Sequence, residues 1–277
     1  MSRNNNDRIG PPVEPAQQPA ENPLLNFVKP TLFVDLPSKG KGYPEGHPLK
    51  DQEVIEVFQM TAKDEDILTS ESLIKKGVVL DRFIQNILVD KSIQLDSILI
   101  GDKNAILIDS RITGYGPDYN TEIVCPSCFT KNQVTYDLND KSIHYGSSLE
   151  PNEKGLYELK LPQSGITLEI KQLTSKEERL IVERMTDSKK KKKDESTVTD
   201  QYKLMVVSAN GVEDKGMVNQ FIELMPLKDS LTLKKFYKEI SPNVELKFDF
   251  TCKSCGYEQE LEVPLGAEFF WPKQWIF

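Results

Sequence analysis

Long apolar segments are absent from this chain of 277 residues. No run of about 18 apolar residues, the length that spans a bilayer as a helix, occurs anywhere in it. Residues 1–23 also lack the apolar core of a signal peptide. We therefore expect no membrane span and no membrane partner, and a chain that is made and stays in the cytoplasm.

Catalytic motifs are absent as well. The two histidines, His47 and His144, stand alone in loop-like contexts. No G-x-S-x-G, H-E-x-x-H or glycine-rich nucleotide motif is present. Residues 37–46 are rich in lysine and glycine, but not in the order of a phosphate-binding loop, so we interpret them as a plain turn. The sequence predicts neither an enzyme nor a small-molecule substrate.

Positive charge is in deficit. With 35 Lys and Arg against 43 Asp and Glu, the formal net charge is −8 and the pI is near 5.1. This balance disfavours broad attraction to nucleic acid. Residues 189–193 are five consecutive lysines. They lack interleaved aromatic and arginine residues, which favours a solvated loop, with a weak polyanion contact as the alternative.

Cysteine is scarce, but its spacing is informative. All four cysteines form two C-x-x-C pairs, Cys125 with Cys128 and Cys252 with Cys255. In a reducing compartment such pairs act as metal ligands more readily than as disulfides. A redox dithiol would stand at the start of a helix after a strand, whereas each pair here lies between two extended arms. Four thiolates complete the tetrahedral shell of Zn²⁺ and leave no position for a catalytic water, so we predict a structural zinc.

The hydrophobic pattern predicts both strands and helices. Residues 54–60 alternate as in a strand, and Thr61 is placed to cap the helix that follows. Residues 122–136 form two extended arms around the first C-x-x-C turn, as in a zinc knuckle. Helices are predicted over residues 62–76, 78–89 and 103–112.

Two segments of the chain are similar to each other. Residues 54–68 align with residues 167–181 at an offset of 113, which brings Thr61 onto Thr174. The two cysteine pairs stand at an offset of 127, so the second segment is longer by the difference between the two offsets. Because both segments run from a strand through helices to a C-x-x-C pair, we predict a duplication. The alternative is a chance match of a strand and a helix cap.

The predicted fold class is α+β, with two duplicated strand-plus-helices units joined by a shared zinc-ribbon-like four-cysteine site. The predicted parts are a disordered arm (1–30), a first unit ending in a zinc knuckle (31–136), a connecting segment (137–166), a second unit ending in a zinc knuckle (167–263) and an aromatic tail (264–277). The arm contains one apolar cluster, at residues 24–28. The tail either packs back on the core or anchors a partner.

Several short motifs resemble those of a known family. They are LPSKGKGYPEGHPL (36–49), MTAKDEDILTS (60–70), LIKKG (73–77), DKNAIL (102–107) and ITGYG (112–116), the last before a C-P-x-C. In these motifs the chain resembles the baseplate hub proteins of T-even-type contractile-tailed phages. The likeness is densest over residues 32–130 and covers neither residues 1–30 nor the lysine run.

The resemblance implies a non-enzymatic component or assembly factor of the tail baseplate hub, with other baseplate and tail proteins as partners. Such a protein would be found in the host cytoplasm during assembly and, if it stays in the particle, in the virion. The motifs do not separate a hub subunit from a transient assembly factor. The alternative function is a zinc-ribbon nucleic-acid-binding regulatory protein, which the negative net charge disfavours.

Overall fold

A computed structural model of the chain describes residues 29–191, 197–263 and 269–270, with the side chains of residues 185–197 excepted. Its contacts divide the chain into Met1–Pro30 and Thr31–Phe277. The predicted disordered arm, with its apolar cluster, lies outside the described residues apart from Lys29 and Pro30. All the described helices and strands belong to the second of the two parts.

The first half of this part, from β1 to β4, is two hairpins with helices between them. Its elements are β1 (Thr31–Asp35), β2 (Val54–Phe58), α1 (Ala62–Leu68), α2 (Glu71–Lys75), α3 (Val79–Ile87), α4 (Ile100–Tyr115), β3 (Asp118–Val124) and β4 (Lys131–Asp137). β1 pairs antiparallel with β2, and β3 with β4. In β2 the alternate residues Ile55 and Val57 are buried, as the sequence pattern predicts.

The second half, from β6 to β11, also begins and ends with a hairpin. After β5 (Ser142–His144), the elements are β6 (Leu156–Lys160), β7 (Thr167–Lys171), α5 (Ser175–Lys191), α6 (Thr197–Met205), β8 (Val206–Ala209), α7 (Lys215–Leu224), α8 (Leu227–Ile240), β9 (Asn243–Glu245), β10 (Lys247–Thr251) and β11 (Glu258–Glu262). The sheets are β6-β7-β8, β10-β11 and β5-β9. No helix in the described residues combines the length and apolar character needed to cross a bilayer.

Three local predictions need correction. The helix predicted over residues 62–76 is two helices, because Thr69 ends α1 and Ser70 stands at the N-cap of α2. The lysine run is predicted as a loop, but α5 continues through Lys191, since lysine is a good helix former. The predicted connecting segment, 137–166, contains β5 and β6, and β6 belongs to the three-stranded sheet of the second half.

The helices α1 and α5 begin with the same capping motif. Thr61 and Asp64 form a capping box, with the Thr61 N–H donating to Asp64 Oδ2 at 2.8 Å. Thr174 and Glu177 repeat it at an offset of 113, with the Thr174 N–H donating to Glu177 Oε2 at 2.9 Å. The strands β2 and β7 that precede these boxes share the same offset.

A buried aspartate also recurs, at the third position of α4 and of α8. Asp102 accepts the N–H of Ser38 at 3.0 Å, and Asp229 accepts the N–H of Gln163 at 2.8 Å. Both donors lie in a Leu-Pro-x-x-Gly loop that follows a strand. The two aspartates stand at an offset of 127, as do the first residues of α4 and α8.

Two hydrophobic cores fill the two halves. The second core lies between β6-β7-β8 and the helices α6 to α8. The first core joins the residues of β1 to β4 and α1 to α4 with five residues from the far end of the chain. These five are Val244, Leu246, Val263, Phe269 and Phe270. The last part of the chain therefore returns to complete the core of the first half.

The aromatic tail is partly explained by this return. Phe269 packs edge-on against Tyr119 at 5.2 Å between ring centroids, and Phe270 packs against Phe83 at 5.4 Å. The buried Arg111 donates from Nε to the carbonyl of Phe269 at 2.9 Å. The tail was predicted either to pack back on the core or to anchor a partner, and Phe269 and Phe270 pack back on the core. Residues 264–268 and 271–277 lie outside the described residues.

Candidate metal centre

The four cysteines lie at the tips of two hairpins of the same design. The N–H of Cys125 donates to the carbonyl of Thr130 at 2.9 Å, and the N–H of Cys252 donates to the carbonyl of Tyr257 at 2.8 Å. These bonds close the turns after β3 and after β10, at equivalent positions that share the offset of 127. Short two-arm turns of this kind bring both thiols of a C-x-x-C pair to one side, as metal binding requires.

One position of the turn differs between the hairpins. The residue after the second cysteine has a left-handed backbone in both, with φ +56 at Phe129 and φ +70 at Gly256. Glycine adopts this conformation without strain, whereas phenylalanine does not. The Phe129 side chain is also 77% exposed. The first hairpin thus holds a strained, solvent-facing aromatic residue where the second holds glycine.

The sulfur atoms fit a tetrahedral metal site. Cys125 Sγ lies 3.7 Å from Cys255 Sγ, and Cys128 Sγ lies 3.6 Å from Cys252 Sγ. All four sulfurs are within 4.8 Å of one another. Sulfurs bound to one zinc at about 2.3 Å lie about 3.8 Å apart. A disulfide would need about 2.05 Å, so the cysteines are free thiols in an arrangement that a zinc ion fits.

Asn132 supports this cluster from β4. It is buried, and its Nδ2 donates to the carbonyl of Thr130 at 2.9 Å and contacts Cys252 Sγ at 3.6 Å. Its Oδ1 accepts the N–H of Lys253 at 3.0 Å. A single amide thereby links the two hairpins beside the sulfurs. Sequence reasoning missed this residue, because an asparagine in a predicted strand has no motif of its own.

Hydrogen-bond donors favour the thiolate form, which binds metals, at Cys252 and Cys128. The N–H groups of Cys255 and Ser254 donate to Cys252 Sγ and lower the pKa of this thiol to about 6. A hydrogen bond from Thr130 likewise lowers the pKa of Cys128. The N–H of Tyr257 tends to lower the pKa of Cys255, but the neighbouring thiols and burial raise it to about 11. Metal binding would displace this proton, because the thiolate is the ligand form. Zinc bound here would supply four strong bonds between the two hairpins and, with its shell closed, no site for substrate.

The two histidines lie in different surroundings, away from the cysteine cluster. His47 accepts the N–H of Leu49 on Nδ1 at 3.1 Å, so its Nε2 donates to Ser97 Oγ at 2.8 Å. Its ring stacks on Tyr43 at 4.4 Å, and burial lowers its pKa. His144 lines a cavity of about 640 Å³ beside the second core. Within the described residues, the four-cysteine cluster is the one group of His, Cys, Asp or Glu suited to a metal.

These features define a mixed α/β protein with a four-cysteine centre, suited to a metal, that two hairpins share. A protein-family model described as T4 bacteriophage base plate protein matches residues 29–271, and the chain belongs to this family. The resemblance found in the sequence motifs is thereby confirmed. Membership of a baseplate family indicates other tail and baseplate proteins as partners. No curated protein and no solved structure matches the chain.

Proposed function

We propose that this protein is a non-enzymatic component or assembly factor of the baseplate hub, which acts through contacts with other tail proteins and holds a structural zinc. The observation that carries the proposal is the match of the baseplate family over residues 29–271. The closed four-cysteine cluster agrees with it, because such a site stabilises a fold and offers no open position for substrate.

In this proposal the zinc is a clamp between the two halves. Its ligands would be Cys125 and Cys128 from the first half, and Cys252 and Cys255 from the second. A metal that joins ligands so far apart in the sequence closes a long loop, whose closure is entropically unfavourable without it. We also infer that the two halves arose by duplication, which the repeated capping boxes, aspartates and hairpins support.

The exposed Phe129 is the partner contact that we propose. Large exposed aromatic residues often become the anchors of protein interfaces. Phe129 also keeps an unfavourable backbone conformation that glycine would relieve, and strain of this kind tends to persist at functional sites. Phe129→Gly should therefore remove the anchor without harming the fold, because the new residue suits the positive φ.

Affinity purification of the tagged protein from phage-infected cells tests the proposal. We expect tail proteins to be retained by the wild type and lost with Phe129→Gly, while the melting temperature of the variant stays equal or rises. Phe33→Ala, at another aromatic residue that is 67% exposed, is the matched control and should retain them. Equal retention by Phe129→Gly would rule out this anchor, and no tail protein with the wild type would rule out the hub function.

Nucleic-acid binding is the competing outcome of the same experiment. Affinity for DNA or RNA that falls steeply with salt, without a tail-protein partner, would mark phosphate contacts and favour the zinc-ribbon alternative. The second hairpin argues against it, since Asp249, Glu258, Glu260 and Glu262 are exposed on β10 and β11. Phosphates would be repelled from this face.

A further inference from the structure

The contact between the two halves includes a short pairing of backbone segments. Residues 98–100, just before and at the start of α4, lie antiparallel to residues 173–175, at the start of α5. The N–H of Ile100 donates to the carbonyl of Leu173 at 3.1 Å, and the N–H of Ser175 donates to the carbonyl of Ile98 at 2.9 Å. The Ile100 side chain packs against the second core.

The surface equivalent to residues 98–100 is uncovered in the second half. An offset of 127 brings these residues onto Met225, Pro226 and Leu227, at the start of α8. Among the described residues, neither the Met225 carbonyl nor the Leu227 N–H has a hydrogen-bond partner. Leu227 is 73% exposed, and it is flanked by Leu224 at 83% and Leu231 at 58%. We call these three leucines the leucine patch.

The surface equivalent to residues 173–175 is uncovered in the first half. An offset of 113 brings them onto Met60, Thr61 and Ala62, at the start of α1. Thr61 and Ala62 are exposed, whereas the counterpart of Thr61, Thr174, is half-buried and the counterpart of Ala62, Ser175, is fully buried. In the part of the chain that the structure describes, the Met60 carbonyl and the Ala62 N–H have no hydrogen-bond partner. We call residues 60–62 the α1 entry.

The chain thus carries both members of a contact that it already makes once internally. We propose that a second copy of this chain docks its α1 entry on the leucine patch, repeating between molecules the pairing of residues 98–100 with 173–175. The contact is heterologous, because two different surfaces meet, so it leaves one free copy of each surface on every pair.

The repeated contact is weaker than the internal one. In the internal contact Lys103 pairs with Glu178, at 2.8 Å between Nζ and Oε2. The corresponding positions are Ser230 and Glu65, so this ion pair is not repeated. The repeated contact keeps two backbone hydrogen bonds and the covering of the leucine patch. Association should therefore depend on concentration rather than be permanent.

Sedimentation velocity of the zinc-loaded full-length protein, over about a hundredfold range of concentration, tests the proposal. The average mass should rise with concentration for the wild type and stay at that of a monomer for Leu227→Asp and for Ala62→Arg. Leu149→Asp, at a leucine that is 46% exposed elsewhere, is the matched control and should behave as the wild type. Circular dichroism melts check that each variant is folded.

Mixing the two disabled variants separates a head-to-tail contact from a symmetric one. Leu227→Asp keeps the α1 entry, and Ala62→Arg keeps the leucine patch, so their mixture should form dimers and nothing larger. A photo-crosslinker at position 227 should attach to the peptide that contains residues 60–62. A wild type that stays monomeric, a Leu227→Asp that still associates, a mixture that stays monomeric, or crosslinks to another surface would each overturn the proposal.

Discussion

Asp102 and Asp229 occupy the same place in the two halves, yet their surroundings shift their pKa values in opposite directions. Burial raises the pKa of Asp102, although the hydroxyls of Ser38 and Tyr43 donate to it. Burial also tends to raise the pKa of Asp229, but two backbone N–H groups, from Gln163 and Ser164, reverse this and lower it. Asp102 also accepts the backbone N–H of Ser38, but its donors do not offset the effect of burial, whereas those of Asp229 do.

The two carboxyls should therefore respond differently to acid. A carboxyl whose pKa is lowered by folding stabilises the protein above its unfolded pKa of about 3.9, and this contribution is lost as the pH falls. A carboxyl whose pKa is raised by folding stabilises the protein below about 3.9, and this contribution is lost as the pH rises. The stability lost in Asp229→Asn should shrink as the pH falls below about 4, whereas the loss in Asp102→Asn should already grow between about pH 7 and pH 4. Urea unfolding of both variants and the wild type at each pH measures this. Parallel changes in the two variants would contradict it.

The local elements were the part of the fold that the sequence could predict. Thr61 and Thr174 are visible as caps because a cap, its acidic partner and the first helical turn lie close together in the sequence. The cysteine hairpins are visible for the same reason. The partner of Asp102 was not predictable, because Ser38 is distant in the sequence and no local pattern marks it. Asn132 was missed in the same way.

The return of the chain to the first core was also beyond local patterns. Phe269 and Phe270 are apolar residues that fit a core or an interface equally well in the sequence. Their place is decided by Arg111, whose guanidinium donates to three backbone carbonyls, those of Phe269, Gly116 and Asp118. The folded first half supplies two of these acceptors, and the returning chain supplies the third.

Two truncations of the tail should show how much Phe269 and Phe270 contribute to the stability of the fold. A chain cut after residue 270 keeps both phenylalanines and serves as the reference for a shorter one. Removing residues 269–277 also deletes two buried phenylalanines and an acceptor of Arg111, which should cost more than about 3 kcal/mol. Thermal and urea unfolding of both truncated chains measure this. Similar stability of the two would show that Phe269 and Phe270 contribute little.

At the scale of the whole molecule, a partly buried ionic group links the halves. Lys103 in α4 lies 2.8 Å from Asp81 in α3 and 2.8 Å from Glu178 in α5. Arg179 adds a second cation at 3.1 Å from Asp81. Burial alone would lower the pKa of Lys103, but the two carboxylates more than offset this and raise it. The charged form of Lys103 therefore persists inside the junction.

Loss of this lysine should weaken the junction. Lys103→Met keeps the length of the side chain but leaves the carboxylates of Asp81 and Glu178 without it, at a cost of about 3 kcal/mol. The double variant Asp81→Asn, Lys103→Met should lose less, because it also removes one of the buried charges. A double-mutant cycle from urea unfolding tests this, and strictly additive losses would exclude coupling.

The metal should act on the junction more than on either half. We expect about one zinc per chain by elemental analysis, and a lower melting temperature after treatment with a chelator. Cys252→Ser should increase hydrogen exchange mainly in the cysteine hairpins β3-β4 and β10-β11, with the helices of the first core less affected. Protein purified without zinc under metal-replete conditions, or a uniform increase in exchange, would contradict a clamp.

The return of residues 244–263 and 269–270 to the first core has a consequence during translation. The first half leaves the ribosome early, but its core lacks Val244, Leu246, Val263, Phe269 and Phe270 until the ribosome has passed residue 270. A nascent or prematurely terminated chain exposes this unfinished core to chaperones and proteases. A fragment that stops before residue 244 would therefore differ from the folded chain by an exposed apolar surface.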